Sequence, residues 1–87
     1  MQLLDLATGA VSLEFSPKEK PEVMVRLRQF GRVSLRREAT YDVLSIGGEQ
    51  LTYVDEWDEP CLIAETTGGK ALLVAVARGS ASLVAAE

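Results

Sequence analysis

Short apolar runs, cut by glycine, proline and small polar residues, set the pattern of this chain. Breaks fall at Thr8-Gly9, Ser16-Pro17, Gly31, Gly47-Gly48, Glu59-Pro60, Gly68-Gly69 and Gly79-Ser80. Such frequent turn signals around brief β-branched segments predict strands joined by tight loops. Leu3 to Leu6 and Val11 to Phe15 form a predicted hairpin around Thr8-Gly9, with Val11, Leu13 and Phe15 on one face. Tyr41 to Ile46 and Leu51 to Asp55 form another around Gly47-Gly48, which can take the positive φ angles that tight hairpin turns demand. A two-residue loop sets Leu44 opposite Leu51, and a three-residue loop sets Val43 opposite Tyr53. Either register puts apolar side chains on both faces.

Cys61 to Glu65 and Lys70 to Ala77 read as a third hairpin around Thr66-Thr67-Gly68-Gly69. That register sets Glu65 opposite Lys70, a favourable cross-strand pair, and Ile63 opposite Leu72. The run Ala71 to Ala77 does not alternate, so it predicts a central strand buried on both faces, or one that closes an oligomer interface. Residues 21 to 30 carry two signals. Val23, Val25 and Leu27 alternate with Arg26 and Arg28, as in a strand, whereas Val23, Leu27 and Phe30 fit helical spacing. Pro21 at the start, Gly31 at the end and a Ser16/Glu19 capping box also suit a helix. The β-branched residues at its start favour the strand. Val33 to Arg36 adds a further strand, and Ser82 to Ala85 reads as an edge strand or a frayed tail.

The predicted fold is a single mainly β domain over residues 1 to 87, a small antiparallel barrel or two-layer sandwich. The alternative is an α+β domain with one helix near residues 17 to 30.

Hydrophobic residues make up 47% of the 87 positions, enough for one core without disulfides or metal and with a surplus that leaves room for a homo-oligomer. Cys61 is the single cysteine, which excludes an intrachain disulfide and suits a reducing compartment. Its neighbours Leu62, Ile63 and Ala64 are apolar, as around an inert buried thiol. The chain has no histidine, so the common Cys–His and Ser–His nucleophile arrangements are excluded. The opening residues lack a basic n-region, and the longest uncharged apolar run, Ala71 to Ala77, is far too short to span a bilayer. The expected setting is cytoplasmic, with no membrane partner. Arg outnumbers Lys six to three and Asn is absent, a coding habit of GC-rich bacterial or phage genomes.

Charge is segregated. Arg26, Arg28, Arg32, Arg36 and Arg37 lie within twelve residues, and residues 38 to 65 then hold eight acids and no base. Neighbouring strands that pair opposite charges across a sheet explain this without any function, each exposed pair giving at most about 1 kcal/mol. The functional alternative is a basic and an acidic face for different partners. Asp55, Glu56, Trp57, Asp58 and Glu59 set one aromatic among four acids. Trp is a favoured interface anchor, and an acidic rim speeds approach to a basic partner. A strand reading would place Arg26, Arg28 and Phe30 on one face, with Arg36 nearby, as in proteins that hold single-stranded nucleic acid. The net charge of −4 and pI of 4.8 count against that.

The acid knot matches no Ca²⁺-binding loop, since the glycine needed at the sixth position is missing. Gly68-Gly69-Lys70 lacks the rest of a phosphate-binding loop. No motif calls for a metal, a cofactor or catalytic residues. The expected function is a non-catalytic acidic interaction module, inhibitor, immunity or antitoxin-like, that occludes the basic surface of another protein through Asp55 to Glu59. A single-stranded nucleic-acid binder using Arg26, Arg28, Phe30 and Arg36, and a self-associating structural subunit, are the alternatives.

Overall fold

In the computed structural model, residues 1–56 and 59–79 are described, Glu56 by its backbone. Trp57, Asp58 and the segment Ser82 to Ala85 lie outside the described residues. The fold is mainly β: strands β1 (Gln2–Asp5), β2 (Val11–Glu14), β3 (Val33–Arg37), β4 (Asp42–Ile46), β5 (Glu49–Glu56) and β6 (Glu59–Ala64) form one antiparallel sheet. Its order is β1-β2-β6-β5-β4-β3. The sheet is not closed into a barrel; its second layer is made by helices α1 (Lys20–Arg28) and α2 (Thr67–Arg78).

The β4–β5 turn takes the two-residue form. Gly47 and Gly48 have φ of 56° and 88°, and Leu44 pairs with Leu51. The predicted β1–β2 hairpin and the strand at Val33 also form. Between β2 and α1, the Ser16 N–H donates to Glu19 Oε1 at 2.9 Å in a capping box, and the 3-10 turn Pro17–Glu19 leads into α1. Residues 21 to 30 are therefore helical at their core, against the strand preference. Val23 and Leu27, four apart, are both fully buried, and this i,i+4 pair outweighs the weaker β-branched signal.

The third predicted hairpin does not form. Residues 67–78 are helix α2, not a strand. Thr66 caps it, its Oγ1 accepting from the Gly69 N–H at 2.9 Å, and Gly79 closes it at φ 75° with its N–H directed to the Ala75 and Val76 carbonyls. Leu72, Leu73, Ala75 and Val76 are buried. A fully apolar run of this length cannot be assigned by periodicity alone. Long-range pairing decides it: β6 is flanked by β2 and β5, so no edge of β6 is free for a following strand. The segment expected to close an oligomer interface instead fills its own core.

That core lies between sheet and helices. Leu13, Phe15, Leu44, Ile46, Leu51, Leu62 and Ala64 project from one face of the sheet onto Val23, Leu27, Leu72, Leu73 and Val76. α2 lies against β1, β2, β5 and β6, and α1 packs beside it. Register places Leu4, Ser12, Ile63, Thr52, Val43 and Arg36 in one row on the opposite face, which no described helix covers.

Candidate functional site

β5 and β6 run on past their neighbours. β4 begins opposite Tyr53, and the last β2–β6 partners are Glu14 and Cys61, with the Phe15 N–H donating to Pro60 O at 3.2 Å. Asp55, Glu56 and Glu59 therefore stand at the end of extended strands, and alternation divides them. Asp55 pairs with Pro60 in register, and Glu56 with Glu59, so Asp55 and Glu59 belong to opposite faces.

Asp55 points toward the helix-bearing side and accepts from Tyr53 Oη at 3.1 Å. Together with Arg37, Glu38, Tyr41 and Asp42 it borders a polar recess of about 240 Å³. Burial is the main cause that raises the Tyr53 phenol above its ordinary value of 10.0. The Lys20 ammonium lies 5.0 Å from the centre of its ring, and Phe15 stacks on it at 6.4 Å.

Glu59, on the other face, borders a cleft of about 460 Å³ at this end of the sheet that is also lined by Gln2, Glu14, Phe15, Pro17, Glu19 and Pro60, so the cleft wraps the sheet's end rather than lying on one face. Glu14 is a direct register partner of Cys61, two residues along from Glu59. Such diagonal positions are about 7–8 Å apart. Glu19 is already engaged: the Ser16 N–H, and after it the terminal ammonium at 2.9 Å, hold its carboxyl below the ordinary value of 4.5. Glu14 and Glu59 are exposed and have no ion-pair partner among the described residues. Pro17 gives the cleft an exposed apolar side chain, while Phe15 and Pro60 border it from the core and are buried. Glu14 was not anticipated, because only the β2–β6 pairing brings it beside Glu59, and that pairing leaves no local mark in sequence.

The arginine set does not assemble. In α1, Arg26 turns inward, its Nη1 donating to the Val76 carbonyl at 2.8 Å and its Nε to Glu22 Oε2 at 2.9 Å. Arg28, two positions on, is exposed, because residues two apart on a helix point in different directions. Phe30 packs against the core. Arg36 sits on β3, where its Nε meets Glu38 Oε2 at 2.7 Å. The shared nucleic-acid face expected for Arg26, Arg28, Phe30 and Arg36 depended on a strand and is lost with it. Cys61 is half-buried. Among the described residues no three potential metal ligands converge, and no helix is long and apolar enough to cross a membrane.

No protein-family model matches the chain, and neither the curated proteins nor the solved structures include a significant match.

Proposed function

We propose that this protein is a non-catalytic interaction module, of the inhibitor, immunity or antitoxin kind, that binds a basic protein surface in a reducing, cytoplasmic setting. The observation that carries the proposal is the cleft in which exposed Glu14 and Glu59 have no ion-pair partner among the described residues and stand beside the exposed Pro17. An Arg or Lys of a partner entering there would lay its aliphatic stem against the exposed Pro17 and its charge between the carboxylates. Both acids are solvated, so their first contribution is to steering and to rejection of acidic surfaces. Asp55 and Glu56 extend the same sign of charge along the hairpin.

The test uses the full chain and an immobilised array of Lys/Arg-rich peptides with acidic counterparts, at physiological ionic strength. Basic peptides should bind, more tightly at lower salt. The Glu14→Lys/Glu59→Lys double variant should lose binding by about tenfold or more, the scale of one or two charge-assisted contacts. Glu65→Lys changes the net charge in the same sense on an exposed connection outside the cleft and should retain most of it. A logarithmic loss for Glu65→Lys half that of the double variant, in proportion to charge changes of +2 and +4, would mean that only net charge is read, and would remove the cleft from the mechanism.

A further inference from the structure

We infer that the free edge of β3 takes an extended acidic segment of another protein as an added antiparallel strand. This surface is separate from the Glu14/Glu59 cleft and does not depend on it.

β3 ends the sheet, and among the described residues no strand pairs with its outer side. Which of its backbone groups face outward follows from the turn into β4. The Glu38 N–H donates to Tyr41 O at 2.8 Å, so Glu38 and Tyr41 form a hydrogen-bonded pair. Antiparallel pairs alternate between bonded and non-bonded. Arg36 with Val43 and Ser34 with Ser45 are then bonded pairs, and Val33, Leu35 and Arg37 direct their N–H and C=O groups to the outside. Three donors and three acceptors in a row form a template for one more strand.

The side chains beside this edge define what fits. Leu35 is 52% exposed, unusual for a leucine on the core-facing side of a sheet. It borders a recess of about 100 Å³ with Met24, Leu44, Tyr53, Lys20 and Arg37. A residue that bonds to Leu35 would put its side chain on the same face as Leu35, next to that recess. An apolar side chain belongs there. The rest of the edge is basic: Arg32, Arg36 and Arg37 are exposed, and Arg32 and Arg37 have no ion pair among the described residues. Counted antiparallel, the positions opposite Arg37 and Arg36 come first and call for acids. An apolar residue then faces Leu35, a polar one Ser34, a β-branched one Val33 and an acid Arg32. An Asp-Glu-Leu-Thr-Val-Glu segment satisfies each position.

A second copy of this chain fits less well. Pairing β3 with its own symmetry mate would gather six arginines on one seam, and β1, the other sheet edge, offers a single acid, Asp5. Arginines that merely guard the edge against pairing are the competing explanation; they would bind nothing.

The experiment is hydrogen exchange by NMR on the full chain, with an end-capped, fluorescein-labelled peptide built on Asp-Glu-Leu-Thr-Val-Glu as the probe. In the free protein the amides of Ser34 and Arg36 should exchange slowly, and those of Val33, Leu35 and Arg37 fast. The peptide should slow the second set by at least about tenfold, as capture of their N–H groups requires. In anisotropy titrations, proline in place of the peptide leucine, which removes the N–H that meets Leu35 O, should weaken binding by about tenfold. Arg37→Glu should act in the same direction. Leu35→Asp, at an exposed position that leaves the core intact, should weaken binding without lowering Tm. Unchanged exchange at Val33, Leu35 and Arg37 under excess peptide would overturn the inference. So would protection that grows with protein concentration alone, which marks a second copy, or protection by a dT oligonucleotide in place of the peptide.

Discussion

Replacing Arg26 with methionine tests whether this residue belongs to the fold or to a surface. Its guanidinium links three parts of the chain: it donates to the Val76 carbonyl at 2.8 Å, to Met1 Sδ at 3.4 Å and to Glu22 Oε2 at 2.9 Å. The Val76 carbonyl belongs to the last turn of α2, where helix carbonyls lack partners and the macrodipole favours a cation. Gly79, in its left-handed conformation, lies so close that a Cβ there would sit 3.4 Å from the Arg26 Cζ. A hydrogen bond from a charged donor contributes about 1.5–3 kcal/mol. The Val76 carbonyl keeps the Gly79 N–H at 3.1 Å after the substitution, so it is not orphaned and the lower half of that range applies. The Glu22 pair is exposed and adds only about 0.3–0.5 kcal/mol. Methionine preserves much of the aliphatic stem, so packing losses are small.

The expected loss is about 2 kcal/mol, which for a domain of this size lowers Tm by roughly 8–16 °C. Urea and thermal denaturation followed by circular dichroism at 222 nm measure it, with Arg28→Met as the comparison. Arg28 is exposed, and its replacement should stay within about 0.5 kcal/mol of the parent. If the two variants unfold together, Arg26 does not clamp α2 and the inter-helix bond contributes nothing. A nucleic-acid contact would give the opposite pattern, with stability unchanged in both.

The adjacent glycines that open α2 should respond in opposite directions. The atoms nearest a Cβ on Gly68 are the carboxylate end of the flexible Glu49 side chain, which accepts from Thr66 Oγ1 and must swing away, so Gly68→Ala should stabilise by up to about 0.5 kcal/mol through helix propensity. On buried Gly69 it would lie 3.0 Å from Thr66 Oγ1 and 3.2 Å from Ala64 Cβ; displacing the cap and overpacking should cost about 1–3 kcal/mol. Thermal denaturation that ranks the two variants the other way would contradict the capping geometry. For Tyr53, absorbance at 295 nm in a Tyr41→Phe background should give a midpoint above 10.0. Lys20→Met should raise it further and Asp55→Asn lower it, since the ammonium favours the phenolate and the carboxylate opposes it. The folded protein holds this proton more tightly than the unfolded chain. The stabilisation is therefore complete below pH 10 and disappears as pH rises through the folded value. A midpoint at or below 10.0 would remove the role of burial.

Features set by neighbours in sequence were legible. The double glycine at 47 and 48 takes the two-residue turn, and Leu44 meets Leu51 as that turn requires. Ser16 and Glu19 cap the segment before α1 as their spacing suggests. Features set by distant neighbours were not. Nothing within Ala71 to Ala77 distinguishes a strand buried on both faces from a buried helix; the decision was made by β2, about sixty residues earlier, which occupies the edge of β6 that a further strand would need. The more useful local signals lay outside the run, in Thr66 and Gly79 at cap spacing. The inward turn of Arg26 has the same long-range cause, since its partner is the end of that helix.

Strand order also explains how one small sheet can keep two charge signs from cancelling. Glu14 lies on β2 and Glu59 on its neighbour β6, whereas the arginine edge is β3, four strand positions from β2. At about 4.8 Å per strand this is roughly 19 Å for Glu14 and, three positions from β3, roughly 14 Å for Glu59, both beyond the Debye length of about 8 Å at physiological salt. The two surfaces should therefore act independently there, and Glu14→Lys/Glu59→Lys should leave affinity for the acidic strand peptide unchanged. At an ionic strength of about 0.01 M the screening length grows to about 30 Å, and the positive charge added by the same variant should then attract the acidic peptide and tighten its binding. Tighter binding at low salt with no change at physiological salt is thus the signature of two separate surfaces coupled only through the field, and a change in affinity at physiological salt would mean that the cleft and the β3 edge share a site.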